Sequence, residues 1–155
     1  MSAWAECCWW SVFIPGALWV QSLVPGLDAL LVGVLVLAQE RRWRQMACFL
    51  PFCILVQEGV GTQSFGASML WYACALLLFS LGRGWFEGRS SVLVLLVACA
   101  LAPVSVGLMS MLASLQQLAV DPHILLGRSI VQMFFLPPAW LLAMLTRRRI
   151  ERVQA

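Results

Sequence analysis

SVLVLLVACALAPVSVGLMSMLASL, running from Ser91 to Leu115, contains no charged residue, and its reading decides the fold. The uncharged stretch reaches further still, from Arg89 to Asp121. About 20 apolar residues are enough to cross the roughly 30 Å of hydrocarbon in a bilayer. Backbone N–H and C=O groups in that layer must be satisfied within the segment, so the run is expected to be a helix, with Pro103 inside it. Outward from it the same texture recurs: Glu58 is the only charge between Arg44 and Arg83. Of the 155 residues, 62% are hydrophobic and 11% charged, too few charges to cover a surface facing water.

Turn residues divide the rest of the chain into further apolar runs. The length holds one domain of roughly six spans at about 20 residues each, with no separate soluble domain. The expected spans are about Cys7 to Val24, with Pro15 and Gly16 as a kink; Leu27 to Glu40, after the Pro25-Gly26 turn; Gln45 to Glu58; Phe65 to Leu81, after GVGTQS; Ser91 to Leu115; and Pro122 to Thr146. Asp121 reads as the N-cap of the last helix and Pro122 as its first residue, because proline lacks the N–H that would be orphaned there. Pro137 and Pro138 are expected to bend its middle. The start, MSAWAECCWW, places no basic residue ahead of the first apolar run, so that run is expected to be a retained helix rather than a cleaved signal. The fold class is therefore an all-α membrane bundle of about six helices.

Arginine orients this set, since short cytoplasmic loops collect positive charge. Arg41, Arg42 and Arg44 follow the second span, Arg83 and Arg89 the fourth, and Arg147, Arg148, Arg149 and Arg152 the sixth. The alternate loops LVPGL and GVGTQS carry none, and the loop after the fifth span adds Asp121 and Arg128. Both termini are expected in the cytoplasm of a multi-pass inner-membrane protein. Trp4, Trp9, Trp10, Trp43 and Trp85 fall where an interfacial belt on that side would lie. The tail arginines read as contacts to anionic headgroups of the membrane lipid.

Ionisable residues inside spans are functional candidates by default. Glu58, with Gln57 beside it, sits at the C-terminal end of the third span, where the helix already presents partial negative charge; it reads first as reaching the outer headgroups, and otherwise as meeting a partner such as Arg128 or a polar group of another subunit. Asp28 sits at the start of the second span, where a carboxylate caps the helix. Asp28 and Glu58 could also line one shared polar pocket or partner surface. The six cysteines lack a C-x-x-C pair and read as small packing residues. No H-E-x-x-H, G-x-S-x-G or P-loop is present, and His123 is a lone loop histidine. No catalytic group, metal, cofactor or nucleic-acid partner is expected. The spacings Ala98-x-x-x-Ala102 and Ser110-x-x-x-Ser114 allow close helix contact.

In order, LVPGLDALLVGVLVLAQERR, ILVQEGVGTQSFGASMLWY and SIVQMFFLPPAWLLAMLTRRRIERV resemble the bacterial rod-shape-determining MreD family. They stand for its second helix with an arginine-bearing loop, its acidic residue and glycine-rich turn (Glu58, Gly59, Gly61, Gly66), and its last helix with Trp140 ahead of a basic tail. The chain departs from that family at Gln57-Glu58, where aspartate preceded by glycines is usual, and at Pro51. The resemblance implies a non-enzymatic scaffold of the side-wall peptidoglycan elongation complex, beside an MreC-like protein, MreB, RodA and a class B penicillin-binding transpeptidase. A second reading is the vitamin-binding subunit of an energy-coupling-factor-type transporter, also a compact bundle of about six helices, with Asp28, Glu58 and Gln63 in an outer pocket.

Overall fold

A computed structural model of the chain describes residues 3–24, 26–60, 66–85, 91–115 and 121–153. Pro25, Gly61, Gln63 and Arg89 lie outside the described residues, as does the side chain of Arg152. The described residues form six α-helices and no strand: α1 (Ala3–Leu23), α2 (Leu30–Gln39), α3 (Trp43–Val60), α4 (Ala67–Arg83), α5 (Ser91–Leu115) and α6 (Pro122–Val153). Prolines fall within α1, α3, α5 and α6 without dividing them.

Every predicted segment holds a helix; α6 runs on past the expected Thr146 to Val153, whereas α2 is cut short at both ends. The apolar run predicts a span of about Leu27 to Glu40, but the helix has 10 residues, about 15 Å, half the hydrocarbon thickness. Its start is delayed because Asp28 is held outside helical geometry by its own contacts, with Oδ1 accepting from Leu31 N at 3.1 Å. At the other end Arg41 takes a left-handed φ of 57°, which stops the helix after Glu40. All ten α2 residues are buried, Gly33 among them. A Cβ on Gly33 would lie 2.8 Å from Phe13 Cε1 and 3.0 Å from Phe49 Cε1, so its lack of a side chain lets α1 and α3 close on α2.

Consecutive helices run in opposite directions. Glu6 near the start of α1, Glu40 after α2, Arg42 before α3 and Arg147 late in α6 all meet at one end. Arg83, at the end of α4, reaches the same place by donating to Ala38 O at 3.2 Å. Gln21 of α1, Asp28, Gln57 of α3, and Trp71 and Tyr72 of α4 meet at the opposite end. The start of α1 and the late part of α6 thus share the arginine-rich end of the bundle. α5 packs along α6 and α4. Ser105 and Ser129 link α5 to α6 at 2.6 Å, whereas the hydroxyls of Ser110 and Ser114 turn back to their own helix at Gly107 O and Met111 O. Of the small-residue spacings, Ala98 is buried and the serine pair is exposed.

The outward faces are apolar. Val12 and Trp19 of α1, Leu55 of α3, Met69 and Leu77 of α4, Leu95 and Met111 of α5, and Phe134 and Leu142 of α6 are all exposed. Among the described residues, two helices, Ser91–Leu115 and the His123–Ile150 part of α6, are long and apolar enough to cross a membrane. Leu30–Gln39 and Ala67–Arg83 are apolar but shorter. The cysteines divide differently from expectation: Cys53 is buried, Cys74 half-buried, and Cys7, Cys8, Cys48 and Cys99 face outward.

Candidate functional site

A buried helix with polar groups at both tips needs partners for them, because an unmatched buried donor or acceptor costs about 1–3 kcal/mol. At the N-terminal tip of α2 that role falls to Asp28. Its Oδ1 accepts from Gln57 Nε2 at 3.0 Å, Leu31 N at 3.1 Å, Tyr72 OH at 3.2 Å and Gln21 Nε2 at 3.3 Å. Its Oδ2 accepts from Trp71 Nε1 at 3.0 Å. Gln132 of α6 clasps the backbone of the same residue in both directions: Asp28 N donates to Oε1 at 2.7 Å, and Nε2 donates to Asp28 O at 3.1 Å. Gln57 Nε2 also reaches Tyr72 OH at 3.4 Å. One residue therefore ties α1, α3, α4 and α6 to α2.

Asp28 and Gln57 are thus brought together. Glu58 is directed elsewhere: its Oε1 accepts from Gly66 N at 2.8 Å, bracing the entry to α4, where Gly66 adopts a φ of 86°. Among the described residues no ion pair joins Glu58 to Arg128, the partner considered for it within the chain. Arg128 is exposed and lies along the turn before α2, where a Cβ on Gly26 would come within 2.6 Å of its Cδ. Asp121 caps α6 as expected, accepting from His123 N at 2.9 Å.

At the C-terminal tip of α2 the charges form a second cluster. Arg147 is 1% exposed, and its Nη2 lies 3.0 Å from Glu6 Oε1 and 2.8 Å from Glu40 Oε2. Arg42 pairs with both acids, through Nη1 to Glu6 and Nε to Glu40 at 3.1 Å. The guanidinium of Arg147 lies 5.2 Å from the Trp9 ring centroid and 6.0 Å from that of Trp10, in the range of cation–π attraction. Trp9 stacks on Phe13 at 4.8 Å and donates to Thr146 Oγ1 at 3.4 Å, and Trp140 donates to Gln39 Oε1 at 3.0 Å.

This corrects the expectation for two residues. Arg147 is grouped by sequence with the headgroup-facing tail, yet it is a core residue, while Arg148 and Arg149 are exposed. Trp9 is buried instead of interfacial, whereas Trp4, Trp43 and Trp85 are exposed. The reason is helical phase: successive residues point about 100° apart, so one arginine of three turns inward.

No protein-family profile, curated protein or solved structure matches the chain. The chemistry of the site is therefore read from its own geometry. Every contact to the Asp28 carboxylate is an N–H or O–H donor, which suits joining helices and leaves its oxygens committed. Among the described residues, no three His, Cys, Asp or Glu side chains gather as metal ligands would. The residues missed by sequence reasoning are Gln21, Trp71, Tyr72 and Gln132 at one tip and Glu6, Gln39 and Glu40 at the other. For the Gln and Glu residues the signal was present, since such a group within or bordering an apolar run needs a partner; Trp71 and Tyr72 gave none.

Proposed function

We propose that this chain is a non-enzymatic, six-span scaffold of the bacterial inner membrane, with both ends cytoplasmic, serving the side-wall elongation complex as an MreD-like protein. The observation that carries the reading is the distribution of polarity. Large apolar side chains face outward on α1, α3, α4, α5 and α6, and the polar groups gather at the two tips of the enclosed α2. Such an outer face suits lipid, and in water it would be an aggregation surface. α2 need not span the hydrocarbon unaided, because non-helical backbone is tolerated at depth where protein buries it. The segment before it is enclosed in that way, with Leu27 and Ala29 buried on either side of Asp28, whereas Arg41 after it is exposed at the arginine-rich end.

The resemblance supplies the biological context, and two of its features have a structural counterpart. Glu58 braces the glycine turn into α4, and Trp140 anchors α6 to the end of α2. Both are architectural roles, in keeping with a protein that acts by presenting helices to partner helices through packing and interhelical hydrogen bonds. The transporter reading asks for an open polar pocket around Asp28. There the carboxylate is taken up by donors from α1, α3 and α4.

Co-expression with an MreC-like protein from the same bacterium, followed by purification in mild detergent, tests the proposal. The two proteins are expected to co-elute in a fixed ratio. Separate elution with both well expressed would defeat it.

A further inference from the structure

The arginine-rich end holds more positive charge than its ion pairs consume. A cavity of about 330 Å³ opens there, lined by Arg41, Arg42, Arg83, Arg147 and Arg148 against a single acid, Glu40. Glu6, next to it, neutralises one further charge through Arg42 and Arg147. The C-terminus of α2 adds only about half a negative charge. A clear positive surplus is left, contributed by α4, α6 and the α2–α3 turn together.

The cavity is also built for hydrogen bonding. Its rim carries the exposed Arg41 and Arg148, and its lining includes the buried Arg147, Met144 and Gln39. Among the described residues, no protein group accepts from Nε or Nη1 of Arg147, or from Nε2 of Gln39. Arg147 is 1% exposed and Gln39 7%. Buried donors without acceptors are costly and rare in folded proteins. An anion with several acceptor oxygens would satisfy them, and the guanidinium fork matches a phosphate group bidentately.

We propose that this cavity is a binding site for a phosphate-bearing anion, either the headgroup of an anionic phospholipid or a free phosphate compound. Basic pockets between helices at the cytoplasmic face are a recurrent form of headgroup site. The lipid source rests on the membrane reading above, whereas the free-phosphate source does not. The two are separated by the choice of probe.

The full-length chain, purified in a zwitterionic detergent, is titrated with phosphatidylglycerol, with phosphatidylcholine as the neutral control, and with inorganic pyrophosphate, and binding is followed by tryptophan fluorescence. Saturable binding of phosphatidylglycerol alone identifies a headgroup site, and saturable binding of pyrophosphate a free-phosphate site. Arg83→Gln with Arg148→Gln weakens binding about tenfold. Arg44→Gln with Arg149→Gln, two exposed positions outside the cavity, leaves it unchanged. Arg148→Glu alone, at the exposed rim, also weakens binding and keeps the test open if the Arg83 variant does not fold. Absence of saturable binding by both phosphate probes overturns the proposal. So does equal weakening by the two double variants, or saturation by a glutamate-rich peptide with neither phosphate probe bound.

Discussion

Asp28→Ala lowers the stability of the bundle by about 3 kcal/mol. Interhelical hydrogen bonds in membrane proteins average about 0.6 kcal/mol each, because the unfolded chain in the bilayer also finds partners. Asp28 accepts five side-chain or capping bonds, from Gln21, Leu31, Gln57, Trp71 and Tyr72. Losing the common acceptor releases α1, α3 and α4 from the start of α2 at once, while the Gln132 clasp on the Asp28 backbone stays in place. Unfolding in mixed micelles with increasing SDS measures the loss. Glu58→Gln is the comparison, since it keeps an oxygen for Gly66 N and is expected to change stability little. A loss below about 1 kcal/mol for Asp28→Ala would show that the clasp by Gln132 holds this end without the carboxylate.

Arg147→Met has an effect of similar size through a different cause. The guanidinium is shared by Glu6 and Glu40, and removing it leaves two carboxylates with Arg42 as their shared cation. Breaking a buried ion pair from one side costs about 3–5 kcal/mol, whereas replacing all of its members with uncharged groups is often neutral. Arg147→Met alone is therefore expected to destabilise by about 3 kcal/mol. Combined with Glu6→Gln and Glu40→Gln, which leaves only the partly exposed Arg42 charged, it recovers most of that loss. Arg149→Met, at an exposed position, stays within about 0.5 kcal/mol. The same unfolding series reads all three, and absence of recovery in the triple variant would place the importance of Arg147 in its stacking against Trp9 and Trp10.

The contrast between these two residues shows what a sequence of this kind makes legible. Helix positions are clear, because apolar runs are separated by Pro, Gly and Arg, and local devices are clear too: Asp121 caps α6, and Asp28 caps α2. Helical phase is much less clear. In a soluble helix the polar face tells which side is buried, but α6 is apolar around most of its circumference, so nothing local distinguishes Arg147 from Arg148. The contacts that decide the matter are remote, with Gln132 meeting Asp28 and Arg147 meeting Glu6 from opposite ends of the chain. The length of α2 was hidden for a related reason. Leu27 and Ala29 are as apolar as the helix that follows, and only the contacts of Asp28 between them keep that stretch out of it.

Glu58 shows the converse. Its position at the end of a helix suggested a distant cation, but a nearer donor, the backbone N–H of Gly66, was available across the turn. Local geometry satisfied the carboxylate before any long-range partner was needed. The arginines, counted by loop, gave a consistent direction for the chain, and the meeting of Glu6, Glu40, Arg42, Arg83 and Arg147 at one end is in keeping with it.

The proposed architecture is a six-span bundle with both ends on the cytoplasmic side. Reporter fusions in a bacterial host, joined after Arg44, Arg89 and Ala155 and scored with a pair of enzymes active on opposite sides of the membrane, test it most directly. All three junctions are expected to report the cytoplasm, and a fusion in the GVGTQS loop the exterior. An external signal at Ala155, or a cytoplasmic one in that loop, would contradict the account.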